Sequence, residues 1–224
     1  MSSLLLLDLD GTLIDTPHYE AWRSAGEAMG APGLTREEYL TVISGRPRLE
    51  GAARLLALKG SAVPDDPCDP ARIARLAEIK QKEFLRLSSR AGFFDDALRL
   101  LQRTLAAQQC VRFYTASQNA RGLFEAALHQ AGLRLNQLAA VVQQQSGQSR
   151  EAMFQHLADG HDPAAVMLVD DSPYAVDMAC HLGMRACQIR RDESQARATD
   201  SRACVLSSLD ELVLPIRTTA EEWT

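Results

Sequence analysis

The sequence predicts an α/β protein: a doubly wound, Rossmann-like parallel-sheet core with a small helical domain inserted after its first strand. Three observations carry that expectation. Short strand-like runs end abruptly in polar clusters: the apolar Leu4-Leu5-Leu6-Leu7 before Asp8 and Val166 to Val169 before Asp170, and Val111-Arg112-Phe113-Tyr114 before Thr115. A run apolar at every position reads as a strand covered on both faces, the situation of parallel sheets. Between the later runs lie stretches with helical periodicity, and that alternation belongs to βαβ construction. About 75 residues separate Asp15 from Arg90, too many for a structureless connection in a compact domain, so this segment must fold as a unit of its own. The expected division is a core of residues 1–15 and 91–224 and a helical cap of residues 16–90.

The first strand ends near Leu7. The insert is helical throughout, with Trp22, Ala25 and Met29 on one face, then Leu49, Ala53 and Leu56, then Ile73, Leu76, Ile79 and Phe84. Gly30 to Gly33 and Ser61 to Pro70 punctuate it. After the insert, Leu98, Leu101 and Leu105 share a face of a helix from Asp96 to Gln108, and a strand follows at Val111 to Tyr114. A helix from Asn119 to Ala131, a short strand from Ala139 to Val142 and a helix from Ser149 to Leu157 come next. Then come a strand at Ala165 to Val169, a helix from Tyr174 to Leu182, a strand at Arg185 to Ile189 and a short helix from Ser208 to Leu212. Residues Arg217 to Thr224 read as a frayed polar tail.

Composition narrows the function classes. The 224 residues are 46% hydrophobic with a net charge of -5. A mildly acidic chain without a Lys/Arg-rich stripe lacks the electrostatic footprint of nucleic-acid binding. The N-terminal apolar run is cut by Asp8, too early for a signal peptide or a membrane span, so a cytoplasmic protein with no membrane partner is expected. Cys68, Cys110, Cys180, Cys187 and Cys204 are odd in number and scattered, with no C-x-x-C pair. They read as mostly buried, inert thiols rather than a disulfide framework or a zinc site.

The chemistry concentrates at strand ends, where parallel sheets bind their ligands. Asp8-Leu9-Asp10-Gly11-Thr12 leaves the first strand with two carboxylates two residues apart, and Gly11 permits the tight exit. Such carboxylates repel unless a cation sits between them, and hard oxygen ligands at this spacing favour Mg2+. Turns favour Asp, Ser and Thr in any case, so one polar strand end means little by itself. Three together form a set. Asp170 or Asp171 can complete an oxygen site, and the Thr115 hydroxyl with the free amides of the following helix suits a phosphate oxygen. The implied reaction is phosphoryl transfer, and a carboxylate nucleophile with a metal alongside is one way to split it into two easier steps through an aspartyl phosphate.

The D-x-D-G-T strand end, the Thr after a second strand, the Asp-Asp after a late strand and the helical insert resemble the haloacid dehalogenase (HAD) superfamily. The resemblance is strongest to its helical-cap phosphatases and phosphomutases, the phosphoglucomutase-like group, and spans about Leu4 to Leu212. It implies that Asp8 is the nucleophile and that Asp10 is the acid to the leaving oxygen and then the base for water. It implies that Thr115 binds the phosphoryl group, with Ala116 and Asn119 on the phosphate side. Mg2+ would be held by Asp8, the Asp10 carbonyl and Asp171, with help from Asp170. The substrate would be a small phosphorylated metabolite.

One departure stands out. The group carries a Lys in its third motif, and the matching stretch here is Gly147-Gln148-Ser149-Arg150. A cation there neutralises the nucleophile and the phosphoryl oxygens. Lys59, Lys80 and Lys82 are the chain's lysines, all in the insert, so Arg150 is the nearest substitute. Two readings of Arg150 stand: a replacement charge, or a solvated residue in the first turn of a helix. In the insert, His18 and Trp22 lie one helical turn apart and resemble the start of the group's cap; for Trp22 core packing is the competing reading. Ser44-Gly45-Arg46-Pro47-Arg48 resembles the cap loop that approaches substrate, with Arg48 at the arginine position and Ser44 where the sugar-phosphomutase version has Lys. Lys80 falls where relatives place a substrate-facing Lys, although charges on amphipathic helices are usually solvated. The functional alternatives are a phosphatase, a sugar phosphomutase, and a phosphometabolite-binding protein that has lost turnover. A dehalogenase has no need of Asp10 or the metal carboxylates.

Overall fold

The computed structural model describes residues 3–44, 46–60, 69–117, 119–134, 141–145 and 148–215. The elements run β1 (Leu4–Asp8), β2 (Ile14–Asp15), α1 (His18–Ala28), α2 (Arg36–Glu38) continuing into a π turn (Tyr39–Ile43), α3 (Arg48–Lys59) and α4 (Pro70–Leu87). They continue β3 (Gly92–Phe93), α5 (Asp95–Ala106), β4 (Cys110–Thr115), α6 (Ala120–Gln130), β5 (Val141–Gln143) and α7 (Arg150–Ala158). The last are β6 (Val166–Asp170), α8 (Pro173–His181), β7 (Arg185–Ile189) and β8 (Cys204–Leu206). Two compact units result: Met1–Asp15 with Gly92–Glu193 and Arg197–Thr224, and Thr16–Ala91 with Ser194–Ala196.

The first unit is built on a six-stranded sheet in the order β5-β4-β1-β6-β7-β8, and each pairing is parallel. Strand β1 is central, with β4 on one side and β6 on the other, so the chain's winding direction changes at β1. Ligands of open parallel sheets bind beyond the carboxyl ends of the strands at such a point. Side-chain alternation assigns the faces. Leu4, Leu6, Tyr114, Val166 and Leu168 pack with Met153, Phe154 and Leu157 of α7 and Ala175, Val176 and Ala179 of α8. Asp8 is two residues beyond Leu6 and Asp170 two beyond Leu168, so both carboxylates continue that same face where the core gives out. On the other face Phe113 meets Phe124 of α6, ring centroids 4.9 Å apart.

Among the described residues, the regular elements of the second unit are helices. Trp22, Ala25, Ala31, Leu34, Ile43, Ala52, Leu55, Leu56, Leu76 and Ala77 form its core. Two of its helices start at side-chain caps: Thr35 and Glu38 make a capping box at α2, and the Asp69 carboxylate accepts the Ala71 N–H with Pro70 opening α4. Gly51 lets α3 lie against Trp22, since a Cβ there would stand 2.9 Å from the indole. That contact places Trp22 in the packing of the unit.

Several expectations need correction. The buried face of α3 is Gly51, Ala52, Leu55 and Leu56, while Leu49 is 60% exposed, because the helix starts at Arg48 and its register is set by Trp22. Of the two readings of Lys80, the solvated one fails: the side chain is 4% exposed, its ammonium lying over aromatic rings. The helix expected from Ser208 is a single 3-10 turn, Leu209–Glu211, capped by Ser208. Cys187 and Cys204 are not thiols but a disulfide, standing in register on β7 and β8 with Cα atoms 4.5 Å apart. Cys110 is exposed and Cys180 buried. Cys68, the punctuation from Ser61 to Cys68, Ala139, Ala140, Gly147 and the tail from Arg217 lie outside the described residues.

Candidate active site at the strand ends

Asp8, Thr115 and Asp170 are the last residues of β1, β4 and β6, three strands adjacent in the sheet. Carboxylate oxygens of Asp8, Asp170 and Asp171 lie within 4.8 Å of one another. The turn after β1 shapes this group. Gly11 has φ +77°, and a Cβ there would come within 2.6 Å of Asp171 Oδ2, so only glycine lets the Asp171 carboxylate rest against the chain. The buried Thr12 hydroxyl accepts the Asp171 N–H at 3.0 Å, and the Gln188 side-chain amide donates to the Asp171 carbonyl at 3.1 Å. Arg191 in turn donates to the Thr12 carbonyl at 2.6 Å and to Asp96 at 2.7 Å. The Asp171 peptide is therefore held at both ends.

On β4, the Thr115 hydroxyl donates to Asp10 Oδ2 at 3.2 Å and accepts the Ser117 N–H at 2.9 Å. Ala116 is exposed beside it, and Asn119 directly precedes α6, its N–H donating to Ser117 Oγ at 3.3 Å. The neighbouring Tyr114 donates its hydroxyl to Asp170 Oδ2 at 2.5 Å, while Asp170 Oδ1 accepts the Ser172 N–H at 2.8 Å.

Electrostatics follow from this crowding. Burial, then the charges of Asp170, Asp171 and Asp10, push the Asp8 carboxyl well above the usual carboxylate range, and Arg150 pulls it back. Burial, then Asp170 and Asp10, do the same to Asp171. Asp170 is raised by burial, with Arg150, Tyr114 and Ser172 opposing. Arg150, first residue of α7, is lowered by burial but raised on balance by the charges of Asp170, Tyr114, Asp8 and Asp171. Its guanidinium lies 5.9 Å from the Tyr174 ring centroid. Gln148 is engaged elsewhere: its side-chain oxygen accepts the Gln145 N–H at 3.0 Å and its carbonyl accepts the Gln144 amide at 2.6 Å. It closes its own loop. A group of carboxylates, Asp8 and Asp170 buried and Asp171 partly so, that burden one another with negative charge and all offer hard oxygens fits a divalent cation such as Mg2+.

The four insert residues singled out in the sequence lie in the helical unit. His18 Nδ1 and Lys80 Nζ are 2.8 Å apart, and the His18 ring stacks on Phe84 at 4.4 Å. The Lys80 ammonium lies 4.7 Å from the Phe84 ring and 5.4 Å from Trp22. Arg48 opens α3 and is half-buried. No role for Tyr114, Gln188 or Arg191 was legible in the sequence, which offered Thr12 only as the last residue of the D-x-D-G-T strand end. Tyr114 did carry a signal, a hydroxyl in an apolar strand one residue before Thr115; Gln188 and Arg191 act through the tertiary fold and carried none.

No protein-family model matches the sequence, and no curated protein does. Solved structures match over nearly the whole chain. A β-phosphoglucomutase from the archaeon Pyrococcus sp. strain ST04 is 23% identical with a TM-score of 0.73, covering 94% of this chain and 95% of its own. A predicted phosphoglycolate phosphatase from Haemophilus somnus 129PT is 12% identical with a TM-score of 0.74, over 93% and 95%. CbbY from Rhodobacter sphaeroides, solved with xylulose-1,5-bisphosphate, is 20% identical with a TM-score of 0.69, over 95% and 96%. At such identities the likeness is one of fold, and the chain has the fold of the haloacid dehalogenase hydrolases.

Proposed function

We propose that the chain is a Mg2+-dependent phosphatase that hydrolyses a small phosphorylated metabolite through an aspartyl phosphate. One observation carries the reading: the Asp8 carboxylate ends the central strand within 4.8 Å of Asp170 and Asp171, with Asp10 and Thr115 hydrogen-bonded beside it. Asp8 attacks phosphorus, and the P–O bond to the leaving group breaks as Asp10 gives that oxygen its proton. Asp10 then takes a proton from water, which attacks the aspartyl phosphate, releasing inorganic phosphate and restoring Asp8. The Thr115 hydroxyl and the amides leading into α6 bind phosphoryl oxygens. Asp8, Asp170, Asp171 and the Asp10 carbonyl would hold the cation, which when bound neutralises charge on the phosphoryl oxygens. Arg150 supplies the cationic charge that Gln148 does not; its influence on Asp8 supports this.

Sugar phosphates are the favoured substrate class, since the fold neighbours include a sugar phosphomutase and a protein solved with a sugar bisphosphate. His18, Arg48 and Lys80 are the substrate contacts of the helical unit in this reading, basic groups whose chemistry suits an anion; Trp22 belongs to packing. The likeness to a β-phosphoglucomutase sustains a second reading, phosphoryl transfer back to the product sugar. A screen of phosphorylated metabolites with and without Mg2+, beside Asp8→Asn, tests the proposal. Metal-dependent phosphate release that Asp8→Asn abolishes while circular dichroism is unchanged is the expected result. Turnover retained in Asp8→Asn would overturn the covalent route, and sugar-phosphate isomerisation without phosphate release would favour the mutase.

A further inference from the structure

We propose that Tyr114 is a positioning residue of the cation site: its phenol hydroxyl orients the Asp170 carboxylate and brings a neutral donor to an acidic cluster that has no lysine. The proposal rests on reading Asp8, Asp170 and Asp171 as a Mg2+ site. Tyr114 stands on β4 and Asp170 on β6, with β1 between them, so the phenol spans the central strand on the α7/α8 face to reach its acceptor. Both groups are buried, at 1% and 2% exposure. The ring is fixed edge-on against Phe154, centroids 5.3 Å apart at 78°. Asp170 thus receives one donor on each oxygen, Ser172 N–H at 2.8 Å and Tyr114 O–H at 2.5 Å, which fixes the carboxylate plane. Each carboxylate oxygen retains a second lone pair, and the oxygens of Asp8 and Asp171 lie within 4.8 Å. An ammonium at this place would add a further positive charge beside Arg150; a phenol fixes the ligand without doing so.

Calorimetric titration of the full chain with MgCl2, for wild type and Tyr114→Phe, with metal-free melting curves for both, tests this. The Phe side chain keeps the ring and removes only the hydroxyl. Partners that orient metal ligands are worth about 10- to 100-fold in metal affinity, so Tyr114→Phe is expected to raise the Mg2+ Kd about tenfold or more. A role confined to core stability would lower the melting temperature and leave Kd within about twofold of wild type, which would overturn the proposal. Wild type that binds no Mg2+ would overturn it too. Wild type that binds Mg2+ but hydrolyses no phosphomonoester would instead refute the phosphatase reading, and the Kd comparison would still decide the role of Tyr114. Should Tyr114→Phe fail to fold, wild type labelled with 13Cζ-tyrosine replaces it, the other three tyrosine resonances being assigned by Tyr19→Phe, Tyr39→Phe and Tyr174→Phe. The Tyr114 resonance is expected to move on Mg2+ addition, and a resonance that stays fixed as Mg2+ binds would overturn the proposal.

Discussion

Gly11 shows how much of the site depends on one missing methyl group. Its φ of +77° and the 2.6 Å approach of Asp171 Oδ2 are separate constraints, one on the backbone and one on the space beside it. Gly11→Ala is therefore expected to lower stability by about 1–2 kcal/mol for the left-handed conformation and also to displace the Asp171 carboxylate, weakening Mg2+ binding. Gly132 separates the two effects, since it has φ +69° but nothing within 4 Å of a Cβ. Gly132→Ala should melt earlier by a similar margin and bind Mg2+ as wild type does; equal Kd values for both variants would show that the Gly11 contact is irrelevant to the cation site. The sequence made Gly11 and the aspartates legible because tight exits and polar strand ends are local. Tyr114 carried only a faint local signal and Lys80, though singled out by its place in the insert, gave no sign of burial: only the fold shows the phenol meeting Asp170 and the ammonium buried beside His18 and Phe84.

Helix α7 begins with a cation at Arg150, against the positive end of its own dipole. A surface helix would gain from losing it. Here the charges of Asp170, Asp8 and Asp171 outweigh that cost and the burial, and raise the guanidinium's pKa. Arg150→Ala is accordingly expected to leave the helix intact while reducing turnover about a hundredfold, roughly 3 kcal/mol of transition-state stabilisation. Gln148→Lys is expected to change little, because the Gln148 side chain is turned onto the Gln145 amide of its own loop. If steady-state kinetics instead show Arg150→Ala unchanged and Gln148→Lys faster, the site lacks its cation and Arg150 is a bystander. Elements were legible in proportion to their length. The four-residue apolar runs and the periodic helices announced themselves, whereas the two-residue β2 and β3 pair antiparallel only because the chain leaves for the helical unit and returns beside itself. Strand β8, three residues with an exposed Val205, had no pattern to read, and without it no register could bring Cys204 opposite Cys187.

Across the whole molecule, the acidic cluster sets how stability responds to pH. Without a cation, burial and mutual repulsion hold Asp8 and Asp171 above the ordinary carboxylate value of about 3.9 in the folded state. Between that value and their folded values the native state binds more protons than the unfolded one, so stability falls as pH rises through this window. Asp96 acts in the opposite sense: burial opposes it, but Arg191 and the Leu209 N–H hold its carboxyl below the ordinary range. Its contribution is present above pH ~4 and is lost as pH falls further. The metal-free protein should thus be most stable in mildly acidic buffer and melt progressively earlier as the pH is raised from there. A cation that binds only the folded, ionised cluster adds RT ln(1 + [L]/Kd), a gain that grows as the carboxylates ionise. Saturating Mg2+ should therefore flatten the decline. Asp171→Asn should raise metal-free stability at neutral pH, by removing one of the mutually repelling charges, and abolish the Mg2+ response. Melting curves from pH 4.5 to 8 with EDTA or MgCl2 check all three; metal-free stability that climbs steadily with pH, or a Mg2+ response that survives in Asp171→Asn, would show that these carboxylates do not form one electrostatic unit.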